Sequence, residues 1–279
     1  MDSEDRYRGI APSVLVISLL LLSLVPVTAL GQEGEGGIPP LQSPFEDGFA
    51  PEPVSVESDP DPVDVPDVKE VISGKFPGEG FGGQVAGVGD VDNDGYDDMA
   101  VLVPQRGYCV VYHGGHQIRD ASIKPLLGTP YTLTLQSQVR PAGDIDFDGF
   151  DDVLITSPDL YVDGKRAAGG VFILYGSPSG LQEEPEQVLL GTEKDMRLGG
   201  DVDSVGDLNK DGYSDIIVGA DGWNDGTGQV RLYMGSPDGL DDHPIWVWSG
   251  DHVGDRFGHA VTGAGDINGD GWLDFAVGA

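Results

Sequence analysis

Four short acidic stretches carry the residues of this chain that could do chemistry. They are DVDNDGYDD from Asp90, DIDFDGFDD from Asp144, DLNKDGYSD from Asp207 and DINGDGWLD from Asp266. In each, positions 1, 3, 5 and 9 are Asp or Asn, and position 6 is glycine. These side chains offer oxygen, with neither sulfur nor imidazole among them, and Ca²⁺ prefers such hard donors. The pattern therefore predicts about four calcium sites.

The candidate ligands share one arrangement in all four loops. Carboxylates or amides occupy positions 1, 3, 5 and 9, and an aromatic residue at position 7 would give its backbone carbonyl and bury its ring nearby. The glycine at position 6 permits the sharp turn that brings both ends of the loop around one ion. The predicted ligands are Asp90, Asp92, Asp94, Tyr96 and Asp98; Asp144, Asp146, Asp148, Phe150 and Asp152; Asp207, Asn209, Asp211, Tyr213 and Asp215; and Asp266, Asn268, Asp270, Trp272 and Asp274.

The loops differ from an EF-hand at their ends. Position 12 should be a bidentate Glu, but here it is Val101, Ile155, Val218 or Val277, and no helix pattern follows. A strand-to-strand hairpin closed at position 9 fits better. Magnesium, which retains several waters, and a solvated turn without metal are the alternatives. Calcium affinity is expected near the extracellular range of about 10⁻⁴–10⁻³ M.

The acidic loops belong to a repeat, because their starts are separated by 54, 63 and 59 residues. Nine residues before the loop stands Phe81-Gly82, Leu198-Gly199 or Phe257-Gly258, with Leu135-Gln136 in the second repeat. Short apolar runs follow each loop, punctuated by Gly, Pro and Asp. The fourth run is YTLTL, EQVLL or PIWVW in the first three repeats. Four short strands per repeat predict an all-β fold, a β-propeller of four-stranded antiparallel blades.

Phe-Gly, then an Asp-rich loop, then Val-Gly-Ala resembles the FG-GAP repeat over roughly Val68 to Ala279. This repeat is found in the amino-terminal propeller of integrin alpha chains and in many exported bacterial and archaeal proteins. The second repeat departs from the pattern by lacking Phe-Gly. The resemblance implies seven blades, about twice what this length holds. We therefore expect an incomplete ring, or a compact four-bladed ring closed by the strand-like segment 67–72.

The first 67 residues read as two further segments. Residues 1–31 contain an uncharged run, Ile10 to Leu30, preceded by Arg6 and Arg8. This favours a secretory signal peptide or an uncleaved membrane anchor over a buried helix. Residues 32–67 hold eight prolines, ten acidic residues and no Lys or Arg, a composition typical of an extended linker. Residues 68–279 form the predicted propeller, placed outside the cytoplasm as a secreted or cell-surface domain.

Charge and motif content narrow the function. The net charge of −33 argues against nucleic acid as a partner, and the only membrane contact expected is through an N-terminal anchor. Cys109 in YCVVY is predicted to be a buried hydrophobe. We find no catalytic constellation: the close carboxylate pairs fall inside the metal loops, and the histidines form no HExxH motif.

The sequence therefore favours a calcium-binding propeller that acts as a binding or adhesion module rather than an enzyme. The alternatives are an accessory propeller of an exported hydrolase whose catalytic part lies elsewhere, and a structural envelope component. The resemblance to FG-GAP proteins implies that a protein or glycan ligand uses the face opposite the calcium loops, which the repeat pattern assigns to the segments between second and third strands. Candidates there are Arg106, Tyr161, Lys165, Arg166 and Trp223.

Overall fold

The computed structural model describes residues 14–17, 72, 78–115, 121–125, 133–182 and 184–279. All of these but Ile72 lie in one compact unit. The strands are β1 Val14–Ile17, β2 Gln84–Gly89, β3 Asp98–Val103, β4 Tyr108–Tyr112, β5 Ala121–Pro125, β6 Val139–Gly143, β7 Asp152–Thr156, β8 Gly170–Leu174, β9 Gln187–Leu190, β10 Leu198–Gly206, β11 Asp215–Ala220, β12 Gln229–Tyr233, β13 Trp246–Ser249, β14 Ala260–Gly265 and β15 Asp274–Gly278. A 3₁₀ turn at Pro104–Arg106 and a four-residue helix, α1 (Trp223–Gly226), join strands.

The strands form sheets in chain order, as the repeat predicted. Three antiparallel four-stranded sheets comprise β2–β5, β6–β9 and β10–β13. In the fourth sheet β14 pairs antiparallel with β15, and β1 pairs parallel with β15. Each sheet is one blade, and the first strands of successive blades, β2, β6, β10 and β14, contact one another in that order. The all-β propeller fold is therefore confirmed.

The hydrophobic core lies between neighbouring blades. The second strand of a blade is buried on both faces, so its side chains alternate between two cores. In β7, Val153 and Ile155 pack with residues of the first blade, whereas Leu154 packs with residues of the third. Cys109 is 1% exposed and belongs to the first of these cores, as predicted. Burial raises the pKa of its thiol to about 12, so the thiol is unreactive at neutral pH.

A glycine bulge ends the first strand of every blade and sets the position of the acidic loop. Register shifts just before the pairs Gly89–Asp98, Gly143–Asp152, Gly206–Asp215 and Gly265–Asp274. All four glycines have a φ between 66° and 78°, a left-handed backbone conformation that residues other than glycine seldom adopt. Each acidic loop therefore leaves its strand with the same geometry, opposite the residue at position 9.

One predicted strand is wrong. The fourth strand of the first blade is β5, Ala121–Pro125, which pairs with β4 through Tyr112–Ala121, and not the later run YTLTL. Leu133 to Leu135 of that run lie outside any strand, and Leu135 is 74% exposed. Alternating β-branched and aromatic residues made YTLTL resemble a strand, but the shorter connection from β4 places residues 121–125 beside its edge.

The signal peptide or anchor and the linker stay predictions for the N-terminal 67 residues. Within the proposed signal peptide or anchor the structure describes only β1, and the linker 32–67 lies outside the described residues. The strand-like segment 67–72 is described at Ile72 alone. Among the described residues, no helix has both the length and the apolar character needed to cross a membrane.

Candidate metal centres

The carboxylate at position 1 accepts two hydrogen bonds from backbone amides of its own loop. Asp90 accepts hydrogen bonds from the amides of Asp94 (3.0 Å, Oδ1) and Gly95 (2.8 Å, Oδ2). The same pair of bonds recurs at Asp144, Asp207 and Asp266, with glycine amide distances of 3.0, 2.8 and 2.8 Å. The turn therefore fixes the orientation of both oxygens of the position-1 carboxylate before any ion binds.

Positions 3 and 5 are oriented in the same way. The Oδ1 atom at position 3 accepts the amide of position 5, and Oδ1 at position 5 accepts the amide of position 7, as in Asp92, Asp94 and Tyr96 at 3.2 and 3.0 Å. In the third and fourth loops the asparagine at position 3 also donates its Nδ2 to position 5, at 2.8 Å from Asn209 and 3.0 Å from Asn268. Each of these two loops therefore carries one negative charge fewer at the ligand positions, and a hydrogen bond between positions 3 and 5 replaces the repulsion between two carboxylates.

The residue at position 9 is buried and joins three strands. Asp152 Oδ2 accepts the amide of Ile145, and Oδ1 accepts the amide of Gly176 after the third strand, both at 2.8 Å. Asp98 and Asp215 make the equivalent bonds to Gly114 (2.7 Å) and Gly235 (3.0 Å). This carboxylate thus fastens the acidic loop to the end of the third strand of the blade.

Burial makes position 9 a poor place for an isolated charge. It raises the pKa of Asp152 to about 8, against the opposing effect of the Gly176 and Ile145 amides. The pKa of Asp215 rises to about 7 for the same reason, and that of Asp98 is also raised by burial. A metal ligand must be deprotonated, so a divalent cation would compete with a proton at this position.

Asp274 at position 9 of the fourth loop differs from its counterparts. Its Oδ2 accepts the amide of Ile267 at 3.1 Å, but Oδ1 is buried without a hydrogen-bond partner among the described residues. In the other blades the second donor is a glycine amide after the third strand. In the fourth blade, position 9 therefore keeps its bond to the acidic loop. The bond to a glycine after the third strand is not seen among the described residues.

The sequence analysis missed the glycine that follows each third strand. A Cβ on Gly114, Gly176 or Gly235 would lie 2.4, 2.6 or 2.4 Å from the carbonyl oxygen at position 8 of the acidic loop. A side chain is therefore excluded there, since real Cβ atoms do not approach oxygen so closely. The available signal was the glycine two residues after each third strand, in HGG, YGSPSG and MGSPDG, which looked like an ordinary turn residue.

Neighbouring loops are bonded to each other across the blades. Asp90 and Asp151 are joined by two hydrogen bonds. The Asp151 amide donates to the Asp90 carbonyl at 3.1 Å, and the Asp151 side chain accepts the Asp90 amide at Oδ2, at 2.9 Å. The Ser214 amide likewise donates to the Asp144 carbonyl at 2.9 Å. Burial raises the pKa of Asp151. The first three loops are therefore connected to one another by hydrogen bonds.

The structure brings together predicted ligands of the first and second loops. Oxygen atoms of Asp90, Asp92 and Asp94 lie within 4.8 Å of one another, as do those of Asp144, Asp146 and Asp152. The aromatic rings at position 7 are less buried than expected: Tyr96 is 37% exposed, and the rings of Phe150, Tyr213 and Trp272 are half-buried. The Cβ atoms of Tyr96, Phe150 and Tyr213 lie beside Gly114, Gly176 and Gly235, the glycine that follows the third strand of each of these blades.

The ligand-face candidates lie at the other end of the blades. Arg106 ends the turn between β3 and β4, and Trp223 begins α1 between β11 and β12. Tyr161, Lys165 and Arg166 lie between β7 and β8, where Tyr161 is 63% exposed. Arg166 donates from Nε and Nη2 to Asp195 at 3.0 and 3.2 Å, and Trp223 Nε1 donates to Glu193 at 3.2 Å.

A charged cluster on Arg197 also lies at that end and was not predicted. Arg197 contacts Asp159 of the second blade at 2.8 Å and Asp221 of its own blade at 3.1 Å. Asp221 further contacts Arg256 and, at 3.0 Å, His259 of the fourth blade. Burial would raise the pKa of Asp221, but the hydrogen bonds and charges of these partners lower it below its ordinary value.

Comparison with known proteins agrees with this architecture. The family model for the FG-GAP repeat matches residues 199–233, which run from the start of β10 to the end of β12. The chain therefore carries an FG-GAP repeat within a bladed all-β fold.

Integrin alpha chains are similar over a longer stretch. The chain is 32% identical to integrin alpha-5 of Xenopus laevis over 211 residues, 71% of this chain and 20% of the relative. It is 32% identical to mouse integrin alpha-IIb over 212 residues, again 20% of the relative, and 37% identical to mouse integrin alpha-8 over 146 residues. The resemblance predicted from the sequence is confirmed. The matches span 20% of the length of the alpha-5 and alpha-IIb chains and 14% of the alpha-8 chain.

Proposed function

We propose that this chain is an extracytoplasmic propeller whose four acidic loops bind calcium and whose opposite face binds a protein or glycan, as an adhesion or recognition module. The observation that carries the proposal is the fourfold repetition of one carboxylate arrangement, oriented by backbone amides at the same positions. Similarity to integrin alpha chains supports a binding role over a catalytic one.

The donor set of the loops fits calcium. Two oxygens that each lie about 2.3–2.6 Å from one ion are at most about 5 Å apart, and the clusters in the first and second loops satisfy this limit. The amides already orient Asp144 and Asp148, so little rearrangement is required on binding. The asparagines of the third and fourth loops lower the ligand charge and predict weaker sites there.

Calcium would stabilise the blade by relieving repulsion that the fold creates. The turn holds three carboxylates or amides on consecutive odd positions, and the position-9 carboxylate lies beneath them without solvent. A bound dication offsets this charge and ties the hairpin between first and second strands to the end of the third strand. Such binding free energy adds to the stability of the folded state.

Calorimetry and thermal unfolding of the full chain test this proposal. We expect uptake of about four Ca²⁺ ions, at affinities near the extracellular range of about 10⁻⁴–10⁻³ M, and a lower melting temperature after chelation. Magnesium at equal concentration is the control and should restore less of the lost stability. Absence of calcium uptake at millimolar concentration, with a melting temperature indifferent to chelator, would contradict the proposal.

The binding face is tested separately, on glycan and protein arrays probed with the full chain. Tyr161→Ala and Arg166→Ala should reduce binding to any ligand that the array reveals, because both side chains are exposed on the segment between β7 and β8. Val247→Ala, on the outer strand β13 and 48% exposed, is the matched control. Equal loss in all three variants would show that the ligand does not use this face.

A further inference from the structure

The residue before the closing glycine distinguishes the first blade from the others. This position is His113 in the first blade, Tyr175 in the second and Met234 in the third, and each precedes the glycine whose amide bonds the position-9 carboxylate. Of these three, only histidine offers a good nitrogen ligand for a metal ion.

His113 lies against the acidic loop with its Nδ1 atom turned toward two carboxylates. Nδ1 is 3.2 Å from Asp92 Oδ2 and 3.6 Å from Asp98 Oδ2. The side chain is 15% exposed. Nδ1 itself is buried and, within the described part of the chain, makes no hydrogen bond of acceptable angle. The imidazole is therefore a potential donor that the surrounding protein leaves unused.

The ring is held in this orientation by the next blade. Gly180 follows β8 with a φ of +78°, and a Cβ there would lie 2.7 Å from His113 Cε1. In the second blade Tyr175 packs in the same way on Gly239, and its hydroxyl bonds Gln187 at 2.8 Å. The position thus accepts a ring as a packing element in two blades, but only the first ring turns a ligand atom toward an acidic loop.

We propose that the first loop, which takes calcium when no other metal is present, prefers a first-row transition-metal dication, such as Zn²⁺ or Co²⁺, bound through His113, Asp92 and Asp98. This inference rests on the proposed function, because it uses two ligands of the first loop. Ligands about 2.0–2.2 Å from a tetrahedral zinc ion lie roughly 3.3–3.6 Å apart, close to the two distances from Nδ1. An imidazole favours zinc and its neighbours over calcium, which prefers oxygen.

The alternative is an imidazolium that pairs with the carboxylates and needs no metal. The two cases differ in metal uptake, and Co²⁺ is a suitable probe because its visible absorption reports nitrogen ligation. The full chain, freed of metal by chelator and then saturated with Ca²⁺, is titrated with Co²⁺ and afterwards with Zn²⁺.

The matched variants come from the chain itself. His113→Tyr and His113→Met introduce the residues that the second and third blades carry at this position, so at least one should fold. His252→Gln is the control, since His252 also lies near a carboxylate, Asp255 at 3.5 Å, but is 83% exposed and outside any cluster. Circular dichroism and the melting temperature show whether each variant is folded.

We expect the wild type and His252→Gln to take up one Co²⁺ with visible bands that Zn²⁺ abolishes. Loss of the imidazole should weaken this uptake by at least about tenfold, the lower end of what even indirect ligand partners contribute. Equal Co²⁺ affinity in the wild type and the folded His113 variants would overturn the inference. If calcium uptake persists in that case, the proposed function survives; if calcium fails to bind at all, the proposed function fails independently.

Discussion

The buried carboxylate at position 9 offers the sharpest test of how the loops are built. Asp152→Asn is compared with Asp274→Asn, because both residues are buried at the same position of different blades. Asp152 accepts two backbone amides, from Ile145 and Gly176, whereas Asp274 accepts one, from Ile267. An asparagine can turn its single oxygen toward one donor only, and its NH₂ group then faces the other.

The expected loss of stability follows from the number of backbone amides that each side chain accepts. In Asp152→Asn one buried amide loses its acceptor, at a cost of about 1–3 kcal/mol. In Asp274→Asn the oxygen still bonds Ile267, and the NH₂ group takes the place of an oxygen without a partner among the described residues. We therefore expect Asp152→Asn to destabilise the protein by about 1–3 kcal/mol more than Asp274→Asn does.

The assay is urea denaturation in excess chelator, so that differences in metal binding do not enter the free energy of unfolding. The pH should lie near the ordinary carboxyl pKa of about 3.9, well below that of Asp152, which burial raises to about 8, because the unfavourable burial of a charge then contributes little to the difference in stability. Asp152→Ala extends the series, since it removes both acceptors and should cost more than Asp152→Asn. Equal costs for the two asparagine variants would refute the view that position 9 fastens three strands.

Two further predictions concern sterics and charge. Gly176→Ala should cost about 1–3 kcal/mol, as overpacking does, and weaken calcium binding, because its Cβ would lie 2.6 Å from the Asp151 carbonyl oxygen; the control Gly87→Ala meets no atom within 4 Å and should leave both melting temperature and affinity nearly unchanged. Asp221→Asn should destabilise the protein at neutral pH and lose its effect in acid: the partners of Asp221 lower its pKa, so the stabilisation is present above the ordinary carboxyl pKa and disappears as pH falls through the folded value. Urea denaturation at a series of pH values measures this, and a difference in unfolding free energy between wild type and Asp221→Asn that stays the same at every pH would contradict it.

The features that repeat at a fixed spacing, the acidic loops and the blades, could be predicted from the sequence. Positions 1, 3, 5 and 9 recur in every loop, so the convergence of Asp90, Asp92 and Asp94 could be predicted without knowing which strands pair. The first three blades followed from the same period, because strands adjacent in the chain are adjacent in three of the four sheets, whereas the fourth sheet also includes β1. Calcium itself remains a proposal that the geometry supports.

The remaining features depend on contacts between segments far apart in the chain. Gly176 is constrained by a loop 25 residues earlier, at Asp151, and the Arg197 cluster joins three blades. Neither has a local pattern, since a glycine in a turn and an isolated arginine are common. The fourth strand of the first blade was misassigned for a related reason: propensity favours YTLTL as a strand, but pairing with β4 selects residues 121–125.

The arrangement of core and loops determines what calcium can do for this fold. Three hydrophobic clusters fill the spaces between successive blades, and they contain none of the predicted side-chain ligands. Removal of the proposed calcium ions should therefore leave the packing between blades in place and release mainly the loops, whose amide bonds would then hold unscreened carboxylates. Amide hydrogen exchange should consequently rise at Gly95, Gly149 and Gly212 after chelation, well before it rises at Leu154 in the centre of β7, because local opening needs less free energy than global unfolding. Simultaneous loss of protection at all four amides would mean that the ions hold the blades together and that the loops are not an independent unit.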